Sequence, residues 1–367
     1  MNILYLTNHL NIGGISSYVL TLARGLRAKG HNIYLASSGG ELLPKFIQAG
    51  IVYIPAPLKT KSEVSPKIVV SLFKLLGALR RNNIDILHSN SRTTGVLGSL
   101  LSSLTHTAHI STCHGFFKPR LWRRLFGCWG DRTIAISQAV KEHLMEDFGV
   151  KAENISIVHN GIDINRFRVQ SAEYRVQKKK DLGLGEGPIV GIVARLSDVK
   201  GHIYLIEAMK TVLEKIPDAQ LLIVGEGKME KELKALVQKL KIENNVNFVP
   251  SVYETPEILS IMDLFVMPSL KEGLGLSLIE AMAQGLAVIG SDVGGIRSLI
   301  KHDYTGILVE PRDSNQLSSE IINLLRDAQK RKFLGAQAQS FVSQNFSGEQ
   351  MATETEGVYS ECLNAKS

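Results

Sequence analysis

The sequence predicts an α/β protein built from two Rossmann-like units in tandem, each with a parallel sheet facing an interdomain cleft. Three observations carry that expectation. Short apolar, β-branched runs alternate with longer amphipathic ones through the first half, the same rhythm restarts near residue 188, and a polar, glycine-rich stretch lies between. At 367 residues, 44% apolar and 21% charged, the chain has the length for about two such domains and can bury large cores without staples.

NILYLT is the first predicted strand. After Gly13 and Gly14, the run ISSYVLTLARGLRAKG places Ile15, Val19, Leu22, Ala23 and Leu26 on one helical face, and Gly30 stands as its stop. HNIYLASS reads as the next strand, and the pattern returns at GIVYIPA, IDILHSN, THTAHISTCH, DRTIAIS and ENISIVHNGID. These runs give a first domain over residues 1–168. Residues 169–187, VQSAEYRVQKKKDLGLGEG, read as a linker. PIVGIVARL, AQLLIVGEG, NVNFVPS, MDLFVMPS, LAVIGSD and TGILVEP then form a second alternation within 188–345. From Ser314 onward the pattern is helical, and residues 346–367 are expected to pack back on the first domain.

Composition removes several function classes. Cys113, Cys128 and Cys362 form no CxxC pair and leave one over, which suits a reducing compartment and disfavours structural zinc. The opening MNILYLTNHL has no basic segment ahead of an apolar stretch, and no apolar run approaches the roughly 18 residues of a spanning helix. A cytoplasmic protein, peripheral at most to the inner face of a membrane, is expected. The net charge of +7 is uneven: residues 1–168 hold 20 Lys+Arg against 9 Asp+Glu, and the remainder 22 against 26. That asymmetry points the first half toward an anionic partner, such as a lipid surface or phosphorylated acceptor. Nucleic acid ranks last, because no zinc finger, helix-turn-helix or stacking-aromatic pattern accompanies the charge.

Ligands of open α/β sheets bind beyond the carboxyl ends of the strands, so the strand-to-helix loops carry the chemistry. In NHLNIGGIS, Gly13 and Gly14 open a helix and free backbone N–H groups for an anion, although a tight turn explains the same glycines equally well. ARLSDVKGH offers Arg195 and Lys200 at a helix entrance. A guanidinium fork and a mobile ammonium suit a diphosphate, against the plainer reading of two solvated cations. PSLKEGLGLSLIEAMAQG is the most specific signal. Glu272 lies in a glycine-rich loop and Glu280 in the helix starting near Leu276; Gly273 and Gly275 let backbone approach a ligand, and the helix N-terminus supplies donors for phosphate. His114 in STCHGFF follows a strand, where a structural and a functional histidine are equally expected.

Two carboxylates also suit a glycoside hydrolase, but that chemistry has no use for an Arg/Lys diphosphate clamp. No DxD-type pair follows a strand, so no metal-bridged diphosphate is suggested, and no GxxxxGK[ST] loop is present. The first loop also lacks the G-x-G-x-x-G of dinucleotide oxidoreductases.

Together these motifs resemble the family 4 retaining glycosyltransferases of the two-domain GT-B fold, over nearly the whole chain. The match rests on the carboxylate pair in EGLGLSLIEAMAQGLAVIGSDVGGI, with IGG, CHGF, IAIS, NGID and ARLSDVKG in order. The resemblance implies a metal-independent hexosyltransferase that takes a sugar from a nucleotide-diphosphate donor to a glycan or lipid-linked acceptor in envelope or exopolysaccharide synthesis. It implies no cofactor beyond the nucleotide sugar. It places Gly14 near the phosphates, Arg195 and Lys200 on the diphosphate, Glu280 on the ribose, and Glu272 and His114 at the transferred sugar. Gly225, Gly227 and Val252 border the base, while Gly275, Leu276 and Ser277 line the donor. Ser16 and Leu274 stand where many members of the family carry Glu and an aromatic residue. It also implies closure of the two domains over the donor.

The alternative from another class is a non-catalytic nucleotide-sugar sensor or scaffold on the same fold. The segment FFKPRLWRRLFGCWGDR, with Lys118, Arg120, Trp122, Arg123, Arg124 and Trp129, reads either as an interfacial helix that meets an anionic membrane or as an ordinary domain helix.

Overall fold

The computed structural model describes residues 1–60, 62–119, 127–167 and 171–366. The chain divides into two compact units: residues 1–162 with 348–367, and residues 163–347.

In the first unit the alternating runs form strands β1 (Asn2–Leu6), β2 (Asn32–Ser37), β3 (Val52–Pro55), β4 (Ile86–Ser89), β5 (Ala108–Cys113), β6 (Arg132–Ala135) and β7 (Ile155–Ile157). They pair in the order β3-β2-β1-β4-β5-β6-β7, in parallel throughout. The helix Gly14–Ala28 buries Val19, Leu22, Ala23 and Leu26, while Ile15, in its first turn, stays 38% exposed. Gly30 follows it in the left-handed region at φ 89°, where a side chain would be strained.

In the second unit β8 (Ile189–Val193), β9 (Gln220–Val224), β10 (Val246–Val249), β11 (Leu264–Met267), β12 (Val288–Ser291) and β13 (Ile307–Val309) pair as β10-β9-β8-β11-β12-β13. Its core joins β8, β9, β11 and β12 to the helices His202–Lys215 and Ser314–Arg326 through Leu205, Met209, Leu317 and Ile321. Both sheets reverse strand order at one place, between β1 and β4 in the first unit and between β8 and β11 in the second. Loops leaving the carboxyl ends there diverge and leave a crevice for ligands.

Two boundaries differ from the sequence reading. The segment read as a linker contains a helix, Ala172–Asp181, that belongs to the second unit. Lys178 anchors it, pairing with Glu257 at 2.7 Å. Polar composition signalled a linker because the helix buries none of its residues. The second unit therefore already includes Asp163–Phe167. The final helix, Gly348–Asn364, is part of the first unit and buries Met351, Ala352, Val358 and Tyr359. Ala352 lies so close to Gly25 that a Cβ on Gly25 would come within 2.7 Å of it.

A buried polar chain runs through the first unit. Tyr5 meets the Tyr359 hydroxyl at 3.1 Å, Tyr359 meets His88 Nδ1 at 2.5 Å, His88 Nε2 meets Thr112 Oγ1 at 2.6 Å, and Thr112 meets Tyr18 at 3.2 Å. Burial, then the nearby His114 and His109, hold His88 well below the ordinary imidazole range, so the ring is neutral. A neutral ring donates through one nitrogen and accepts through the other, so one of its two hydroxyl partners accepts from His88 and the other donates to it.

Candidate active site

At the reversal point of the second sheet, the β8 loop passes through a short turn, Asp198–Lys200, to Gly201 and the helix His202–Lys215. Gly201 is left-handed at φ 70°, and a Cβ there would come within 1.8 Å of the Pro268 carbonyl oxygen. The β8 and β11 loops are thus pressed together, and Leu270 N–H donates to Val199 O at 2.8 Å.

That contact brings Lys200 to Glu272. The ammonium lies 2.5 Å from Glu272 Oε2, with the two side chains 22% and 11% exposed. Ser269 donates to the same oxygen at 3.2 Å, and Gly295 N–H donates to the Glu272 carbonyl at 3.0 Å. Arg195, on the same loop as Lys200, is exposed and has no side-chain partner among the described residues.

Gly225 and Gly227 follow β9. A Cβ on either would come within 2.0 Å of Ala194 O or 2.1 Å of Leu196 O. Their bareness lets the β9 loop lie directly on the Arg195 loop, which is the local reason for glycine at both places. Gly275, at φ 99°, caps the helix Leu276–Ala283, so the N–H groups of Leu276 and Ser277 belong to an unpaired first turn. Leu274 is buried, 1% exposed. Its side chain therefore packs inward.

Glu280 has other partners than the Lys200 pair. Burial pushes its carboxyl up to about 7, opposed by the Thr255 side chain and by the Arg166 guanidinium. Arg166 is fixed by Glu254 at 2.9 Å and by the Tyr253 carbonyl at 3.4 Å, and lies over the Tyr253 ring. Val252 adjoins this cluster in sequence. The two carboxylates singled out by sequence thus occupy different surroundings, one neutralised by an ammonium, the other enclosed with a hydroxyl and a guanidinium.

In the first unit, His114 follows β5. Its Nε2 lies 3.2 Å from Asn90 Oδ1, and its ring meets Tyr18 edge-on at 4.6 Å. Burial brings its pKa down to about 3, so the imidazole is neutral at physiological pH and is a poor proton acceptor. Tyr18 sits on the helix that begins at Gly14, which ties His114 to the two-glycine loop. Asn8, after β1, accepts from Ser91 at 2.7 Å and Thr93 at 2.9 Å, so polar side chains fill the reversal point of this sheet as well.

Of the basic aromatic segment, Arg120, Trp122, Arg123 and Arg124 lie outside the described residues. Lys118 is exposed. Trp129 stacks under Arg92 at 4.6 Å and packs against Phe148 and Phe117. No helix among the described residues is long and apolar enough to cross a membrane.

Arg166, Tyr253, Glu254, Thr255 and Ser269 were not singled out by sequence. Arg166 lay on the wrong side of the expected boundary, and Ser269 was the one with a usable signal, a hydroxyl immediately after a strand.

Two family models match the chain: "Glycosyltransferase Family 4" over residues 12–166 and "Glycosyl transferases group 1" over residues 175–341. An Escherichia coli UDP-Gal:alpha-D-GlcNAc-diphosphoundecaprenol alpha-1,3-galactosyltransferase is 30% identical over 71% of this chain and 70% of its own. The Bacillus anthracis N-acetyl-alpha-D-glucosaminyl L-malate synthase is 28% identical over 98% and 96%. Among solved structures, Anabaena HepE in complex with UDP and glucose superposes with a TM-score of 0.88 at 23% identity, over 98% of this chain and 100% of that one. The likeness to that structure is one of fold, and with the sequence matches to both units it establishes that the chain belongs to the family 4, group 1 glycosyltransferases of GT-B architecture.

Proposed function

We propose that the protein transfers a sugar from a nucleotide-diphosphate sugar to a hydroxyl of a glycan or lipid-linked acceptor, with retention at the anomeric carbon. The observation that carries this reading is the meeting of Lys200 and Glu272 at the reversal point of the second sheet, beside Arg195 and the open first turn at Leu276. A diphosphate needs cations and N–H donors, and a sugar needs a carboxylate that accepts from hydroxyls. Both sets stand within one loop pair.

As the glycosidic bond breaks, negative charge grows on the departing diphosphate. Lys200, Arg195 and the helix N-terminus stabilise that charge more than they stabilise the intact donor, which makes the clamp catalytic as well as binding. No metal is assigned to the diphosphate in this reading. Glu280 accepts from the ribose hydroxyls, and the loop from Gly225 to Gly227 with Val252 borders the base. The family resemblance assigns Gly14 to the phosphates and a neutral His114, which contacts rather than deprotonates, to the transferred sugar.

Acceptor class is supported by the relatives' names. The Escherichia coli enzyme uses a diphosphoundecaprenol acceptor, and a Mycobacterium tuberculosis relative, 28% identical over 63% of this chain, mannosylates a phosphatidylinositol monomannoside. A cytoplasmic position at the inner face of a membrane, in envelope or exopolysaccharide synthesis, follows as part of the same proposal. The test is binding and slow hydrolysis of a panel of nucleotide sugars by wild type and Glu280→Ala. One selectively bound sugar whose turnover depends on Glu280 is expected. Binding without turnover, even with acceptor extracts, favours the scaffold reading, and no binding by folded protein removes both.

A further inference from the structure

The Lys200–Glu272 contact raises a question of affinity. Lys200 is already neutralised before any ligand arrives, by a carboxylate 2.5 Å away and only 11% exposed. The loops that carry the two residues are joined by Leu270 N–H on Val199 O and by the close approach of Gly201 to the Pro268 carbonyl, while Gly295 N–H holds the Glu272 carbonyl from the other side. Spreading the two loops would break the first of these contacts. A diphosphate that takes Lys200 must take it from Glu272, by exchange of side-chain partners in place.

We propose that Glu272 is a specificity-determining residue that makes the site prefer an intact nucleotide sugar over the free nucleoside diphosphate. The inference rests on the donor-site reading above and adds a discrimination to it. An intact donor compensates both members of the pair: its diphosphate takes the ammonium, and its sugar hydroxyls donate to the carboxylate. A free diphosphate takes the ammonium and offers the carboxylate nothing. Among the described residues Glu272 then keeps Ser269 as its side-chain partner, facing a terminal phosphate that carries more negative charge than the diester did. An enclosed carboxylate deprived of its cation and set beside a like charge is strongly disfavoured. The penalty falls on the product of sugar transfer and not on the substrate, so it promotes product departure after each turnover.

The experiment is calorimetric titration of UDP, GDP and ADP, and of the matching nucleotide sugars, into wild type, Glu272→Gln and Glu272→Ala. Glutamine keeps the size and a hydrogen-bonding oxygen for Ser269 and removes only the charge. For the nucleotide that wild type binds, Glu272→Gln is expected to bind the free diphosphate at least about tenfold more tightly than wild type, and its nucleotide sugar no more tightly; like-charge juxtaposition at this cost makes tenfold the floor. Wild type itself should bind the nucleotide sugar more tightly than the diphosphate, a measurement that needs no variant. Equal or weaker diphosphate binding by a folded Glu272→Gln, or a wild type that prefers the free diphosphate, overturns the proposal. If wild type binds neither diphosphate nor nucleotide sugar, the donor-site reading itself has failed, and that outcome is distinct because it appears before any variant is compared.

Discussion

Arg166 donates to Glu254 Oε2 at 2.9 Å while its guanidinium carbon lies 4.8 Å from the centre of the Tyr253 ring. The same guanidinium pulls down the Glu280 carboxyl, which burial raises to about 7. Ribose hydroxyls donate best to an ionised carboxylate, so nucleotide affinity should weaken as pH falls through about 7. The groups that bear on Glu280 are Thr255 and Arg166. β11 and β12 present no ionisable side chain to it, and the helix Ala328–Asn345, packed on its helix, contributes the neutral Gln339, whose amide donates to Ala283 O. Arg166→Ala removes the opposing positive charge, so the pH at which affinity is lost should move upward, and Arg166→Lys should restore it in part. Isothermal titration from pH 5.5 to 8.5 checks this. An unmoved profile in Arg166→Ala sinks it.

Lys200→Ala should lower kcat by about 100-fold or more and raise donor KM much less, as expected of a group that acts on charge developing in the transition state. Removing Lys200 also strands Glu272 without its cation, and denaturant unfolding of Lys200→Ala beside Lys200→Ala/Glu272→Gln reads that structural share. Initial-rate kinetics of folded Lys200→Ala gives the kcat and KM effects. A change confined to KM contradicts the catalytic assignment.

Gly201→Ala should destabilise the protein by more than about 2 kcal/mol, since the new methyl would collide with the Pro268 carbonyl and the backbone is left-handed there. Gly77→Ala is the matched contrast. It lies inside the helix Pro66–Arg81 with no atom within 4 Å of the added carbon, and should stabilise by roughly 0.5–1 kcal/mol through helix propensity. Chemical denaturation of the two variants reads the difference, and equal effects would show that loop contact is not what requires glycine at 201.

Tyr359→Phe removes the hydroxyl between Tyr5 and His88 and leaves His88 Nδ1 without a partner in a fully buried place. A loss of about 1–3 kcal/mol is expected in thermal or urea unfolding. His88→Phe in the same background should cost less than it does alone, because the two side chains share one bond. Strict additivity would show that the chain is not coupled.

Much of the architecture was legible in sequence because parallel strands buried on both faces write themselves as continuous apolar runs, as IVGIV and LFVM do here. The ARLSDVKGH and KEGLGLSLIEAMA loops were legible as well, since charge and glycine after a strand are rare without a reason. What they do to each other was not. Nothing in spacing says that Lys200 meets Glu272, 72 residues later, rather than solvent. Arg166 escaped notice because a helix with no buried residue looks like a linker, which put the boundary too late. Trp129 had two open readings for a related reason: an aromatic residue among arginines looks the same in sequence whether it faces lipid or packs, as Trp129 does, on a cation and two phenylalanines.

The helix Gly348–Asn364 closes the first unit, yet it is synthesised after the whole of the second. On the ribosome, residues 1–162 emerge without Tyr359 for His88 and without Met351, whose sulfur accepts from Gly161 N–H. Residues 163–347 are contiguous and can fold as they appear. The unit translated first is thus the one completed last, and its nascent form must hold an open apolar groove along the helix Gly14–Ala28 until the final turns leave the exit tunnel. Chaperone demand during synthesis should concentrate on that groove, in the interval between translation of residue 162 and release of the helix that fills it.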